Sequence, residues 1–367
     1  MQPFKLDYML LCIFIPILGF GTAMIFSASS YLGLKDYGNI NFFLTKQLIN
    51  IALGFVALYV CVRIPYQFLG RNIKFIYIGV LILQFLVFVS AFTKSVNGAG
   101  RWVTIAGFSF QPSEFAKLAL IITLALMISK LGERGINHLQ KGMIPLLMII
   151  ALYVITVLMQ KHLSAAMVLA GISFIMLVVG GLAMRYIVGM GVLGASLLGI
   201  GIAMEPFRWK RITGFLNPEA DPLGQGYHII QSWYALGSGK WMGLGLGMSR
   251  EKFTWLPENH TDFILGIIGE ETGFIGITAV ILLYVLFMFR SLAIARNAPD
   301  NFGRFIVIGV TALFFLQVFI NIAVVSGFFP VTGMVLPFIS YGGSSTIVLF
   351  AAVGLIFNVA SQIKNEE

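Results

Sequence analysis

The sequence predicts an all-α, polytopic membrane bundle of about ten transmembrane helices, and three observations lead there. Hydrophobic residues make up 58% of the 367-residue chain against 11% charged, and the mean hydropathy is +0.92, a balance unlike that of a soluble domain with one buried core. Apolar runs recur at the length of roughly 20 residues that crosses a hydrocarbon layer of about 30 Å. The runs are continuously apolar, without the alternation over about ten residues that marks a membrane barrel. The whole of 1–367 reads as a single integral membrane domain, with no soluble domain at either end.

The first helix, 8–28, follows a weakly basic start at Lys5 and ends in Ser27-Ala28-Ser29-Ser30, a stretch similar to a signal-peptidase site. Its apolar run exceeds a signal-peptide core, so an uncleaved helix is expected. Helices at 46–62 and 73–93 flank Arg63 and Arg71, and the glycine-containing segment 94–112 precedes a helix at 113–129. Lys130, Arg134 and Lys141 separate that helix from 143–159; a short gap at Lys161 leads to 163–182, and Arg185 precedes 186–204. The long loop 205–262 divides this seventh helix from the eighth, 263–289, after which Arg290, Arg296 and Arg304 precede 305–326. The uncharged segment 321–345 contains Pro330, Gly333, Pro337, Gly342 and Gly343, which break a continuous helix, so the chain dips into the membrane region before a last helix at 338–361. Cys12 and Cys61 fall in apolar runs and read as small buried hydrophobes rather than as a disulfide or metal pair.

Basic residues set the expected orientation. Lys5, Arg63, Arg71, Lys74, Lys130, Arg134, Lys141, Arg185, Arg290, Arg296, Arg304 and Lys364 fall on one side, against Lys35, Lys46, Lys94, Arg101 and Lys161 in the short loops opposite. The positive-inside rule then makes both termini cytoplasmic and places 94–112, 205–262 and 327–337 outside. The net charge of +9 is spread over two faces, which points to anionic headgroups or phosphates as partners and not to nucleic acid.

Asp262 stands one residue before an apolar run, in WLPENHTDFILGIIGEE. A carboxylate at that depth is costly unless it is used, which makes Asp262 a functional candidate. Glu270 and Glu271 lie roughly 12 to 14 Å deeper on the same helix, too far to share its proton, so their expected role is pairing or hydrogen bonding inside the bundle. Arg101 and Trp102 read either as an interfacial anchor or as a phosphate contact. Glu114 and Lys117, spaced i, i+3, form either a structural ion pair or part of a site. The cluster Arg208, Lys210, Arg211 serves headgroup anchoring or recognition of a pyrophosphate. The run GSGKWMGLGLGM lacks the GxxxxGK[ST] spacing of a nucleotide loop. The broken segments together suggest a cavity open to the outside.

NGAGRWV, QPSEFAKL, FLNPEADPLGQGY with QS, LPENHTDFI with GEETGF, and PVTGMVLPFISYGGSS, in this order along nearly the whole chain, resemble the SEDS family of FtsW, RodA and SpoVE proteins. The HTDFI and IIGEETG strings are closer to the FtsW and SpoVE branch. The resemblance implies a peptidoglycan glycosyltransferase that polymerises lipid II at the outer face of the bacterial cytoplasmic membrane, with a class B penicillin-binding protein and other cell-wall synthesis proteins as partners. The family's essential acid falls on Asp262, implying a general base for the acceptor's 4-hydroxyl. Arg101, Lys117, Arg208 and Arg211 are then the candidates for stabilising the undecaprenyl pyrophosphate leaving group. The matching strings also imply substrate contacts at Trp102, Glu114, Gln231, Ser232, His260, Ser340 and Ser344. A divalent cation, Mg or Mn, could share the charge, although no cluster has metal-ligand spacing.

This chain departs from the family at QKHLS, where Lys161 and His162 replace Pro and Asp, and at His228, where Gln is common. Two readings of another class stay open: a flippase that moves the same lipid outward, and a scaffold that recruits a penicillin-binding protein, for which Asp262 is dispensable.

Overall fold

A computed structural model of the protein describes residues 6–89, 93–96, 99–105, 108–203, 206–224, 226–253 and 255–363. Among these, eight helices are long and apolar enough to cross a membrane, and two shorter apolar helices accompany them. The ten predicted helices are all present. They are α1 (Tyr8–Tyr37), α2 (Phe42–Arg63), α4 (Ile73–Phe85), α5 (Pro112–Ile136), α6 (Ile144–Met159), α7 (Leu163–Val179), α8 (Met184–Ala203), α11 (Ile264–Arg296), α12 (Asn301–Val325) and α13 (Gly343–Ser361). Between them lie the shorter α3 (Tyr66–Arg71), α9 (Pro206–Leu216) and α10 (Tyr227–Gly239).

Local chemistry sets the helix ends. Asp7 caps α1 by accepting from Leu10 N at 2.9 Å, and its carboxylate also meets Arg290 of α11 at 2.5 Å, tying two helices at one end of the bundle. The helix α2 stops before Pro65, and α5 opens with Pro112 in its first turn, where a missing N–H costs nothing. Because α1 continues unbroken to Tyr37, Ser27-Ala28-Ser29-Ser30 lies within the helix.

Three expectations need correction. The helix expected at 73–93 ends in a 3-10 turn at Leu86–Phe88, and the segment read as a loop at 94–112 forms a small antiparallel sheet of β1 (Thr93–Val96), β2 (Ala99–Ile105) and β3 (Phe108–Phe110). In that sheet Lys94 pairs with Trp102 and Val103 with Phe110. The long loop 205–262 carries α9 and α10, in line with the ordered, reentrant or surface-lying stretch that its aromatics, glycines and prolines predict. Cys12 is exposed rather than buried, whereas Cys61 is half-buried and packs against the core.

The core gathers around α12 and α13, whose apolar stretches are the most enclosed, whereas α8 buries none of its candidate span. Phe14, Phe314, Phe338 and Phe350 interlock there, with ring centroids 5.0 to 5.7 Å apart, in edge and tilted contacts that favour specific packing over mere burial.

The helix α11 opens at Gly273, whose φ is 68°. A Cβ there would lie 2.4 Å from Gly243 N and 2.5 Å from Trp241 O. The backbone groups freed by the opening are not lost. Leu244 N and Gly245 N donate to the carbonyls of Glu270 and Glu271 at 2.9 and 3.0 Å, and Phe274 N donates to Lys240 O at 2.9 Å. The 240–245 segment therefore runs against the helix and satisfies its backbone, as membrane depth requires.

Candidate active site

A cavity of ≈ 610 Å³ opens where β2, the starts of α5 and α7, α9, α10 and the broken segments 258–263 and 331–345 converge. Its lining includes Arg101, Trp102, Glu114, Lys117, Arg211 and Asp262, six of the residues singled out in the sequence.

Asp262 sits in a turn that several side chains hold from behind. Asn321 of α12 donates to the carbonyl of Asp262 at 2.8 Å and to that of Met334 at 2.6 Å. Ser340 Oγ donates to Thr261 O at 2.6 Å and accepts from Leu336 N at 2.8 Å, while Tyr341 N donates to His260 O at 2.9 Å. The turn at 258–263 and the segment 334–341 are thus one hydrogen-bonded unit. Burial, and then the negative charge of Glu258, push the Asp262 carboxyl up from its usual range to about 7, against the opposing pull of Arg211. A carboxylate poised near neutrality accepts and returns a proton readily. Gly333, at φ 71°, lets the backbone pass so close that a Cβ would stand 3.2 Å from Asp262 Oδ2.

The positive side of the cavity is built from separate elements. Arg211 Nη1 donates to Val331 O at 3.0 Å, fixing α9 over the segment that faces Asp262. Arg101 Nη2 donates to Lys161 O at 2.7 Å, joining the sheet to the start of α7. Lys117 and Glu114 pair at 2.7 Å and are both buried, so they are an ion pair and part of the lining together. Arg208 lies in α9, but its side chain is outside the described residues.

The remaining expected substrate residues stand beside the lining. Ser232 is fully buried and donates to Val325 O at 2.7 Å, and Gln231 is half-buried on α10. The ring of His260 packs between Phe43 and Tyr341 at 4.6 and 5.6 Å. Ser340 holds the Asp262 turn, and Ser344 accepts from Gln111 N at 2.9 Å. These hydroxyls support the wall from behind, and the neighbouring Ser345 is the one that lines it.

Other lining residues escaped the sequence reading: Gln111, Glu258, Thr261, Gln317 and Tyr341. Glu258 had a signal, being a second acid in the Asp262 segment; Gln317 and Asn321 had another, a polar i, i+4 pair in an apolar helix. His228 stacks on Phe263 at 5.7 Å, and burial followed by the charge of Arg211 lowers its basicity. His162 of the QKHLS string also lies in the lining. Burial first, then Arg101 and Lys117, push its imidazole down to about 3, so it is neutral.

Glu270 and Glu271 face elsewhere. Glu270 accepts from Ser249 Oγ at 2.5 Å and Arg250 N at 2.9 Å, and Glu271 from Ser27 Oγ at 2.7 Å and Lys252 Nζ at 3.1 Å. They anchor the 249–252 turn to α11 and α1. Among the described residues no three His, Cys, Asp or Glu come together as a metal-ligand cluster, and Glu114 is paired with Lys117. The positive charge that the lining supplies comes from Arg101, Lys117 and Arg211.

Comparison with known proteins agrees along the full chain. The model of the FtsW, RodA and SpoVE cell cycle proteins matches residues 8–365. A probable peptidoglycan glycosyltransferase FtsW from Trichlorobacter lovleyi is 40% identical over 99% of this chain and 96% of its own. Stage V sporulation protein E from Bacillus subtilis is 38% identical over 96% of each. Among solved structures, a chain of a peptidoglycan synthase complex superposes with a TM-score of 0.79 at 28% identity, and the rod shape determining protein RodA of Thermus thermophilus with 0.73 at 25%, each over 99% of both chains. The chain belongs to the FtsW/RodA/SpoVE family of multi-pass membrane proteins.

Proposed function

We propose that the protein is a peptidoglycan glycosyltransferase that polymerises lipid II at the outer face of the cytoplasmic membrane, with Asp262 as general base. The observation that carries this is the cavity itself: one half-buried carboxylate, pushed up to about 7, faces a wall that holds Arg101, Lys117 and Arg211. In the reaction Asp262 takes the proton of the acceptor's 4-hydroxyl as that oxygen forms a bond to the donor's anomeric carbon. The bond from that carbon to the diphosphate oxygen breaks, and the leaving diphosphate keeps the electron pair. A single displacement inverts the anomeric centre and needs no covalent enzyme intermediate. The three cations stabilise the charge that grows on the leaving group, where desolvation strengthens them.

With both termini cytoplasmic, the cavity opens outward, where lipid-linked precursor awaits polymerisation. Likeness to a chain of a peptidoglycan synthase complex supports assembly with a class B penicillin-binding protein. The test is to incubate the purified protein and that partner with labelled lipid II and look for glycan polymer. Polymer from wild type and none from Asp262→Ala supports the reading. Translocation of the lipid in vesicles without polymer would replace it with a flippase.

A further inference from the structure

We propose that His162 is a substrate-binding residue, whose Nε2–H donates a hydrogen bond to a phosphate oxygen of the lipid-linked diphosphate. The placement of the diphosphate rests on the function proposed above; the donor itself follows from the geometry of the ring.

Two side chains occupy the other ring nitrogen. Gln111 Nε2 lies 3.2 Å and Ser113 Oγ 3.3 Å from His162 Nδ1. An amide nitrogen only donates, so Nδ1 is the acceptor and the proton of a neutral imidazole sits on Nε2. Among the described residues nothing bonds to Nε2, and it is not one of the buried polar atoms sealed from solvent. The residue is 92% enclosed, 8% exposed, and its open side is the cavity.

The surroundings select the acceptor. Lys117 and Arg101 are close enough to oppose a positive charge on the ring, so the group this corner takes is an anion and the ring contributes as a neutral donor. The backbone is built to hold it there. Lys161 adopts φ 56°, a left-handed conformation unusual for a side-chain-bearing residue, and Arg101 Nη2 grips its carbonyl at 2.7 Å. That grip places His162 at the cap of α7, inside the cavity wall. At this corner of the cavity the chain offers a donor that keeps its single proton throughout the neutral range.

The test measures binding of inorganic pyrophosphate to the purified full-length protein, which needs no chemistry at Asp262. His162→Gln carries an amide N–H to the Nε2 position, whereas His162→Asn retains only the Nδ1 position. Loss of a charge-assisted hydrogen bond of about 1.5 kcal/mol or more weakens binding about tenfold. The expected result is a Kd within about threefold of wild type for His162→Gln and about tenfold weaker for His162→Asn. As a check that needs no variant, the protonated Nε2 of wild-type His162 should shift in the 15N spectrum when pyrophosphate is added. Equal binding by His162→Asn, equal loss in both variants, or an unmoved Nε2 resonance would overturn the assignment. Pyrophosphate binding that follows this pattern in an Asp262→Asn background, where polymerisation is lost, separates the fate of this proposal from that of the general base.

Discussion

Asn321 of α12 donates a hydrogen bond to the backbone carbonyl of Asp262 at 2.8 Å while the same nitrogen donates to Met334 at 2.6 Å. One buried amide thereby fixes the candidate base against the broken segment across from it. Asn321→Ala leaves two buried carbonyls without that donor, at about 1 to 3 kcal/mol each. The expected outcome is a lower melting temperature in detergent and at least about tenfold slower polymerisation, because a base must stay within hydrogen-bond reach of its proton.

The pH dependence has a definite sign. Asp262 must be ionised to accept a proton, so kcat/KM should rise with pH and level off above about 7. Glu258 raises this carboxyl and Arg211 lowers it. Glu258→Gln should therefore move the rising limb to lower pH, and Arg211→Gln to higher pH with a slower plateau. Initial rates of lipid II polymerisation over pH 5 to 9 check both, and shifts in the same direction would contradict the assignment.

Gly333 admits no ordinary side chain. At φ 71° a non-glycine residue costs roughly 1 to 2 kcal/mol, and its Cβ would press on Asp262 Oδ2 from 3.2 Å. Gly333→Ala should reduce thermal stability modestly and activity strongly. Comparison of melting temperature with polymerisation rate measures the split.

The Glu271–Lys252 pair predicts the opposite split. Both side chains are buried and 3.1 Å apart, and removing one partner of a buried pair costs about 3 to 5 kcal/mol. Glu271→Ala should lower the melting temperature sharply. In the protein that remains folded, the pH limb of polymerisation should stay where it is in wild type.

Much of the fold was legible because membrane helices are written as long apolar runs, and the ten runs became the ten long or apolar helices. The sheet at 93–110 was not legible: its strands are short and held by backbone pairing that leaves no periodic pattern. Nor was the contact of Gly273 with the 241–243 backbone, since it joins residues about thirty positions apart through atoms every residue has. Within the site, Asp262 stood out because a charge beside an apolar run needs a reason. The rise per residue correctly separated Glu270 and Glu271 from it. A hydroxyl that contacts a ligand and one that secures a backbone carbonyl look the same in sequence; Ser232 and Ser340 secure carbonyls. Gln317 carried a signal, its i, i+4 spacing from Asn321 in an apolar helix, but only packing shows that it faces the cavity.

On the proposed mechanism Asp262 removes a proton during bond formation rather than holding the substrate. The most direct measurement is single-turnover glycosidic bond formation by Asp262→Asn in complex with its penicillin-binding partner, with lipid II affinity measured on the same preparation. The predicted result is affinity within about threefold of wild type and bond formation slowed by about 10² to 10⁴, the usual contribution of a general base. Bond formation at the wild-type rate, or a slowing fully accounted for by weaker lipid II binding, would contradict it.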